Sequence, residues 1–166
     1  MNILFHTITG TTLATVISSK KTSKTVNLKI LILSFLFGVF LHGILDILPH
    51  QYPISSKIDV LLSITVMAFV LFLTKKSNRT IVAFCFFGSI FPDLIDLGPE
   101  IINNLTGTSL PTFNIFPWHW QKYSGSIFDN SRTFLSTTIH IIVVLINLII
   151  LLYFKNKDRP LIKDKI

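Results

Sequence analysis

His42 and Asp46 stand four residues apart, which on a helix puts an imidazole and a carboxylate one turn apart on the same face. That spacing lets both bind one cation, as paired histidines do on the helices of zinc enzymes. His6, Asp93 and Asp96 extend the pair into a mixed nitrogen and oxygen set. Such a set suits Zn²⁺, with Mn²⁺ or Fe²⁺ as further candidates. With one coordination position open, it would activate water at neutral pH and polarise a phosphoryl or carbonyl oxygen. His6, His42, Asp46 and Asp93 are the expected metal ligands. Asp96 is expected as general base or as a further ligand. His140 is expected as a ligand or as a side chain behind the ligands, which makes Asp96 and His140 the candidate catalytic pair. His119, between Trp118 and Trp120, reads either as an interfacial residue or as a ligand carried down on a lid. His50 follows Pro49 and reads as part of a wet turn, and Glu100 and Asp129 read as solvated acids. Asp59 reads as a first-turn acid favoured by its helix dipole.

The elements that must hold these residues are membrane helices. Half of the 166 residues are hydrophobic and 14% are charged, against about 25% in ordinary soluble domains. Mean hydropathy is +0.64. A disordered chain is excluded and a soluble enzyme is disfavoured. The single cysteine, Cys85, excludes a disulfide framework and a cysteine-rich metal site. Membrane spans need about 20 mostly apolar residues. They are expected near 28–48, 58–74, 80–97 and 133–154. Residues 3–19 carry five threonines and span only if other helices shelter their polar face. With no basic residue before it and no small-x-small site after it, this stretch is expected to be a retained helix and not a cleaved leader. The expectation is one all-α domain, a multi-pass transmembrane bundle of about five helices. Residues 98–132 form a long outer loop, and 155–166 a basic tail.

Basic residues alternate along the chain. Lys20, Lys21, Lys24 and Lys29 follow the first span, Lys75, Lys76 and Arg79 the third, and Lys155, Lys157, Arg159, Lys163 and Lys165 the last. By the positive-inside rule these faces are cytoplasmic, with the N-terminus outside. The net charge of +7 is thus a topology signal, and no nucleic-acid partner is expected. All five histidines, with Asp46, Asp59, Asp93, Asp96, Glu100 and Asp129, map to the outer half or the outer loops. At about 1.5 Å rise per residue, His42 lies about 9 Å deep and His140 about 12 Å. His6 lies about 21 Å above the inner edge of a core about 30 Å thick. Stripes of residues three or four apart carry them: Gly38, His42 and Asp46; Ser89, Asp93 and Asp96; Arg132, Ser136, His140 and Asn147; His6, Gly10 and Ala14. Pro92 deprives the Gly88 carbonyl of its helix partner, a break tolerated at membrane depth only against protein or a wet cavity. Gly98 and Pro99 are expected to end the fourth span. Trp118, Trp120 and Tyr123 suit an interfacial anchor.

The segments FHTITGTTLA (5–14) and GSIFPDLIDLGP (88–99) resemble those of the membrane-bound metal-dependent hydrolases, small bacterial inner-membrane proteins that include a LexA-regulated group. His6 matches that family's early histidine, and Gly88, Pro92, Asp93 and Asp96 match its Gly-x-x-x-Pro-Asp-x-x-Asp block. The family's later His-x-x-x-His is absent, with Ser136 and His140 at that spacing. The pair His42 and Asp46 is similar to that of helical zinc-dependent phospholipases. The resemblance implies a helical inner-membrane bundle with a divalent metal site that hydrolyses a phosphoester or lipid-like substrate, with membrane lipid as its partner. Intramembrane histidines and acids also mark transport pathways, so a metal-ion or proton transporter or channel is the alternative. A non-catalytic protein whose polar residues hold helices together is a third reading.

Overall fold

The computed structural model of the protein describes residues 1–21, 26–129, 131–155 and 161. Lys24, Lys157, Arg159, Lys163 and Lys165, and with them most of the basic tail, lie outside the described residues. The fold is all-α. Its helices are α1 (Ile3–Lys20), α2 (Leu28–Ile47), α3 (Ser56–Leu73), α4 (Arg79–Asp96), α5 (Gly98–Thr106) and α6 (Thr133–Lys155). Single 3-10 turns lie at Lys76–Asn78 and Pro117–His119, and no strand forms among the described residues.

Four helical stretches, Leu28–Ile47, Ser56–Leu73, Lys76–Asp96 and Thr133–Lys155, are long and apolar enough to cross a membrane. The outward side chains of α2, α3 and α6 are large and apolar, among them Phe40, Phe69, Phe72, Ile149 and Leu152. Water penalises such surfaces and lipid does not.

α1 is not among those four. Its 18 residues reach about 27 Å, but threonines dilute its hydropathy. Its position explains how it is tolerated: α1 packs against α2, α3, α4 and α6, so it is the central helix. His6, Thr7, Gly10, Thr12, Ala14, Thr15 and Ser18 are all buried. The shelter its polar face required is supplied by the other helices. Thr11, Thr12 and Thr15 donate their hydroxyls to carbonyls one turn back, at 2.9–3.2 Å. Polar groups that bond their own backbone need nothing from a neighbour.

The closest helix crossing is between α2 and α4. A Cβ on Gly38 would lie 2.8 Å from the Ser89 backbone nitrogen, and one on Gly88 would meet the Phe35 carbonyl oxygen. Glycines here let two backbones touch, which brings the stripe of His42 and Asp46 against that of Asp93 and Asp96. Ala14, Ile81, Val82, Cys85 and Phe86 fill the core toward the lysine end of the bundle.

One local expectation is corrected and another is extended. Gly98 and Pro99 do not simply stop a helix: α4 ends at Asp96 and Pro99 opens α5, where a residue with no N–H to offer is tolerated. The loop 98–132 therefore contains a helix and a 3-10 turn. Asp59 lies in the first turn of α3, as expected, and also serves a second helix. Its carboxylate accepts the Ile3 and Leu4 backbone N–H groups at 2.7 and 3.0 Å, capping α1.

Candidate metal centre

Asp46 sits near the end of α2 and is 4% exposed, so its carboxylate needs partners inside the protein. Its Oδ2 lies 3.1 Å from His42 Nε2 and 3.2 Å from His119 Nε2. Its Oδ1 lies 3.2 Å from His6 Nε2 and also meets the Met1 amino group. Across the α2–α4 crossing, Asp93 Oδ1 lies 3.5 Å from His42 Nε2 and 3.3 Å from His119 Nε2. The two imidazole nitrogens are 3.4 Å apart.

Four donor atoms, one each from His42, Asp46, Asp93 and His119, lie within 4.8 Å of one another and form a group able to hold a metal ion. The separations test the fit. A tetrahedron with bonds near 2.0 Å has edges of about 3.3 Å. The five separations given above for these four residues run from 3.1 to 3.5 Å. The chemistry also fits, since two imidazoles and two carboxylates match zinc and several other first-row ions.

Support lies behind each histidine. His42 Nδ1 donates to the Ser89 carbonyl at 2.7 Å, on the α4 turn just before Pro92. His119 Nδ1 is 2.9 Å from Asp96 Oδ2. With Nδ1 turned to an oxygen in both rings, Nε2 is the nitrogen left facing the centre. Asp96 is committed elsewhere as well, since it accepts the Ile115 and Phe116 backbone N–H groups at 2.8 and 2.9 Å. Its carboxylate thus faces the chain that carries His119. Burial alone would push the His119 imidazole down, but hydrogen bonds to Asp46, Asp93 and Asp96 outweigh it and raise it to about 10, so a metal ion at the centre would have to displace the Nε2 proton.

The segment bearing His119 is strapped onto the bundle at both ends. Asp96 holds 115–116. At the far end Gly125 N–H donates to the Asp46 carbonyl at 2.8 Å, His50 N–H to the Gly125 carbonyl at 2.9 Å, and Ile127 N–H to the His50 carbonyl at 2.8 Å. A side chain on Gly125 would meet the Leu48 carbonyl, so only glycine allows this approach. Trp118 lies against Gly43, where an added Cβ would come within 2.7 Å of its ring. Trp118 therefore packs inward, while Trp120 and Tyr123 stay exposed.

His42, Asp46, Asp93 and Asp96 come together as expected. His6 stacks on His42 with ring centroids 3.9 Å apart. Beyond that stack its Nε2 reaches Asp46 Oδ1 at 3.2 Å, and it stands outside the four-donor group. His140 stands apart. It stacks on Phe5 at 4.5 Å and lines a different recess with Ser136. The stripe on α6 turns away from α2 and α4, and its Asn147 bonds Thr9 at 3.2 Å. His50 is not in a wet turn. It is fully buried, with Nδ1 2.7 Å from the Leu48 carbonyl and Nε2 3.2 Å from both Tyr52 and Ser126 hydroxyls. Burial first, and then the positive N-terminus, lower its imidazole to about 4. His119 was the undecided residue. The signal available for it was its place between aromatic residues in a loop otherwise poor in ionisable groups.

The chain matches no family model, no curated protein and no solved structure.

Proposed function

We propose that this protein is a membrane-embedded, metal-dependent hydrolase of a phosphoester or lipid-like substrate. The histidine end of the bundle faces the extracytoplasmic side of the inner membrane, and the lysine end faces the cytoplasm. One observation carries the reading: donors from α2, α4 and the 3-10 turn of the long loop lie within 4.8 Å of one another, with five of their six separations at 3.1–3.5 Å, close enough to share one ion. Hydrogen bonds from behind already orient both imidazoles. The resemblance of segments 5–14 and 88–99 to membrane-bound metal-dependent hydrolases agrees with it.

His42, Asp46, Asp93 and His119 would hold the ion, with zinc the best match to this donor set. A divalent ion there supplies Lewis acidity toward a phosphoryl or carbonyl oxygen and lowers the pKa of water. His42, Asp46 and Asp93 sit on rigid helices and form the fixed part of the set. His119 would join them from the strap, which is tied to the bundle at both ends. Asp96, with both oxygens engaged, positions His119 and is not a free base. His6, buried under Asp46, helps orient that carboxylate.

Transport is less well supported. A pathway would need polar groups continuing to the lysine end, whereas the hydroxyls of Thr11, Thr12 and Thr15 are committed to α1 itself.

Elemental analysis of the purified protein, paired with hydrolysis of lipid phosphoesters, tests the proposal. The expected result is one zinc per chain, lost in His42→Ala, and hydrolysis abolished in Asp93→Asn. Metal-driven ion flux in proteoliposomes without hydrolysis would replace this reading with the transporter. A metal-free protein with a folded His42→Ala variant would leave only helix association.

A further inference from the structure

A second feature at the histidine end is independent of the metal centre. α6 is built of Ile, Val and Leu through most of its length, yet its first two turns place Thr133, Ser136, Thr137 and His140 on one face. That face lines a recess of about 370 Å³ closed by Gln51 and Tyr52 from the α2–α3 turn and by the end of the strap. An adjoining recess of about 500 Å³ is lined by Arg132, Ser126 and Ser131.

Polar side chains on a membrane helix ordinarily serve as glue between helices, and part of this set does so. Ser136 accepts the Gln51 backbone N–H at 2.8 Å, and Thr138, on a different face, donates to the Phe134 carbonyl at 2.8 Å. His140 is different. Its Nε2 is shielded from solvent and has no hydrogen-bond partner among the described residues. A shielded nitrogen with no partner among the described residues is costly at membrane depth, which points to a bound ligand as that partner.

The row below the recess says what kind. Residues four apart share a face, so Thr133, Thr137, Ile141 and Leu145 form one line down α6. It changes from hydroxyl to hydrocarbon within a single turn, and Ile141 and Leu145 are exposed at 54% and 49%. Phe128 and Phe134, 88% and 87% exposed, stand near the mouth as apolar groups suited to the headgroup boundary. Asp129, also at the rim, turns Oδ1 to the Ser131 N–H and hydroxyl at 3.1 and 2.5 Å. Arg132 from the adjoining recess, and Thr137 and His140 from the first, are the groups able to donate to an anion there, with the charge of Arg132 also acting on Asp129, which borders both recesses.

We propose that the two adjoining recesses together bind the phosphoryl headgroup of a membrane glycerophospholipid, whose acyl chains lie along the Ile141 and Leu145 face of α6. The ligand spans the change from donors to hydrocarbon, which a free phosphate does not use.

The test is native mass spectrometry of the delipidated full-length protein in detergent. The probes are phosphatidylglycerol, a glucosyl diacylglycerol with the same chains and no phosphate, and inorganic phosphate. Phosphatidylglycerol should be retained one to one, with the glucolipid about tenfold weaker, as expected for losing one charge-assisted contact. Arg132→Gln and His140→Leu should each weaken retention by a similar factor while the zinc content is unchanged. Arg132 is exposed, so its variant remains decisive should His140→Leu fail to fold. Equal retention of the two lipids, wild-type retention by Arg132→Gln, or displacement of the lipid by millimolar inorganic phosphate would each overturn the proposal.

Discussion

The two ends of the bundle are both polar inside, and they deal with that polarity in opposite ways. Through the middle of α1 and toward the lysine end, Thr11, Thr12, Thr15 and Ser19 return their hydroxyls to carbonyls three or four residues back. Around them Ala14, Ile81, Val82, Cys85 and Phe86 pack as an ordinary apolar core. At the histidine end the polar groups are imidazoles and carboxylates, too long and too acceptor-rich to be satisfied by their own turn of helix. His42 reaches Ser89 on α4, Asp96 reaches Ile115 and Phe116 on the strap, and Asp59 reaches the start of α1. Short hydroxyls let a helix cross a bundle silently. Longer ionisable groups oblige separate segments to meet, and where several meet their donors converge.

Substitutions separate the two regimes. The largest effect is expected at the crossing that both depend on. Gly88→Val forces α4 away from the Phe35 backbone, and it should cost about 3 kcal/mol or more, as overpacking does at its upper end. Thermal unfolding in detergent would register the loss, and bound metal should disappear with it. At the histidine end, Asp96→Asn removes the carboxylate behind His119 without touching the helix-borne donors. Metal affinity should fall about 10- to 100-fold with the fold retained, measurable by competition with a chelating dye. An unchanged affinity would mean that the strap contributes nothing to the centre.

The strap also provides a pH-dependent prediction. His50 is held at about 4 in the folded protein by burial, below its ordinary value of 6.5. Between those values the unfolded segment binds the proton that the folded one refuses, so stability rises with pH there. The clamp of His50 on Tyr52 and Ser126 should be fully present above about pH 6.5 and weaken as pH falls toward 4. The protection factors of the Gly125 and Ile127 amides against hydrogen exchange should fall over that window, and in His50→Phe the window should vanish. The smallest effect is expected from Thr15→Ala, whose hydroxyl serves only its own helix. It should change stability by no more than about 1 kcal/mol and leave metal content intact.

Much of the architecture was legible in the residues. Apolar run lengths located the four helices that can cross a membrane to within four residues at each end, because a bilayer sets a length that composition must match. The shared faces of His42 with Asp46 and of Asp93 with Asp96 were legible too, since spacings of four and three put side chains on one face whatever that face meets. His50 and His140 were harder. Spacing describes a face but not its neighbour, and α6 turns the face bearing Ser136 and His140 to the Gln51 turn, away from α4. His119 could not be resolved from its surroundings, because no periodicity governs a loop. Its position comes from the Asp96 and Asp46 contacts at the two ends of the strap.

The sequence by itself determined the helices, their apolar exteriors and the end of the bundle at which ionisable groups gather. These follow from local periodicity and from the cost of placing charge in hydrocarbon. Only the tertiary structure decided which imidazoles share a centre and that the most polar helix runs through the middle. It also decided that Asp59 caps a helix other than its own. Each of these depends on contacts between residues up to 138 positions apart, and one-dimensional spacing carries no information about such distances.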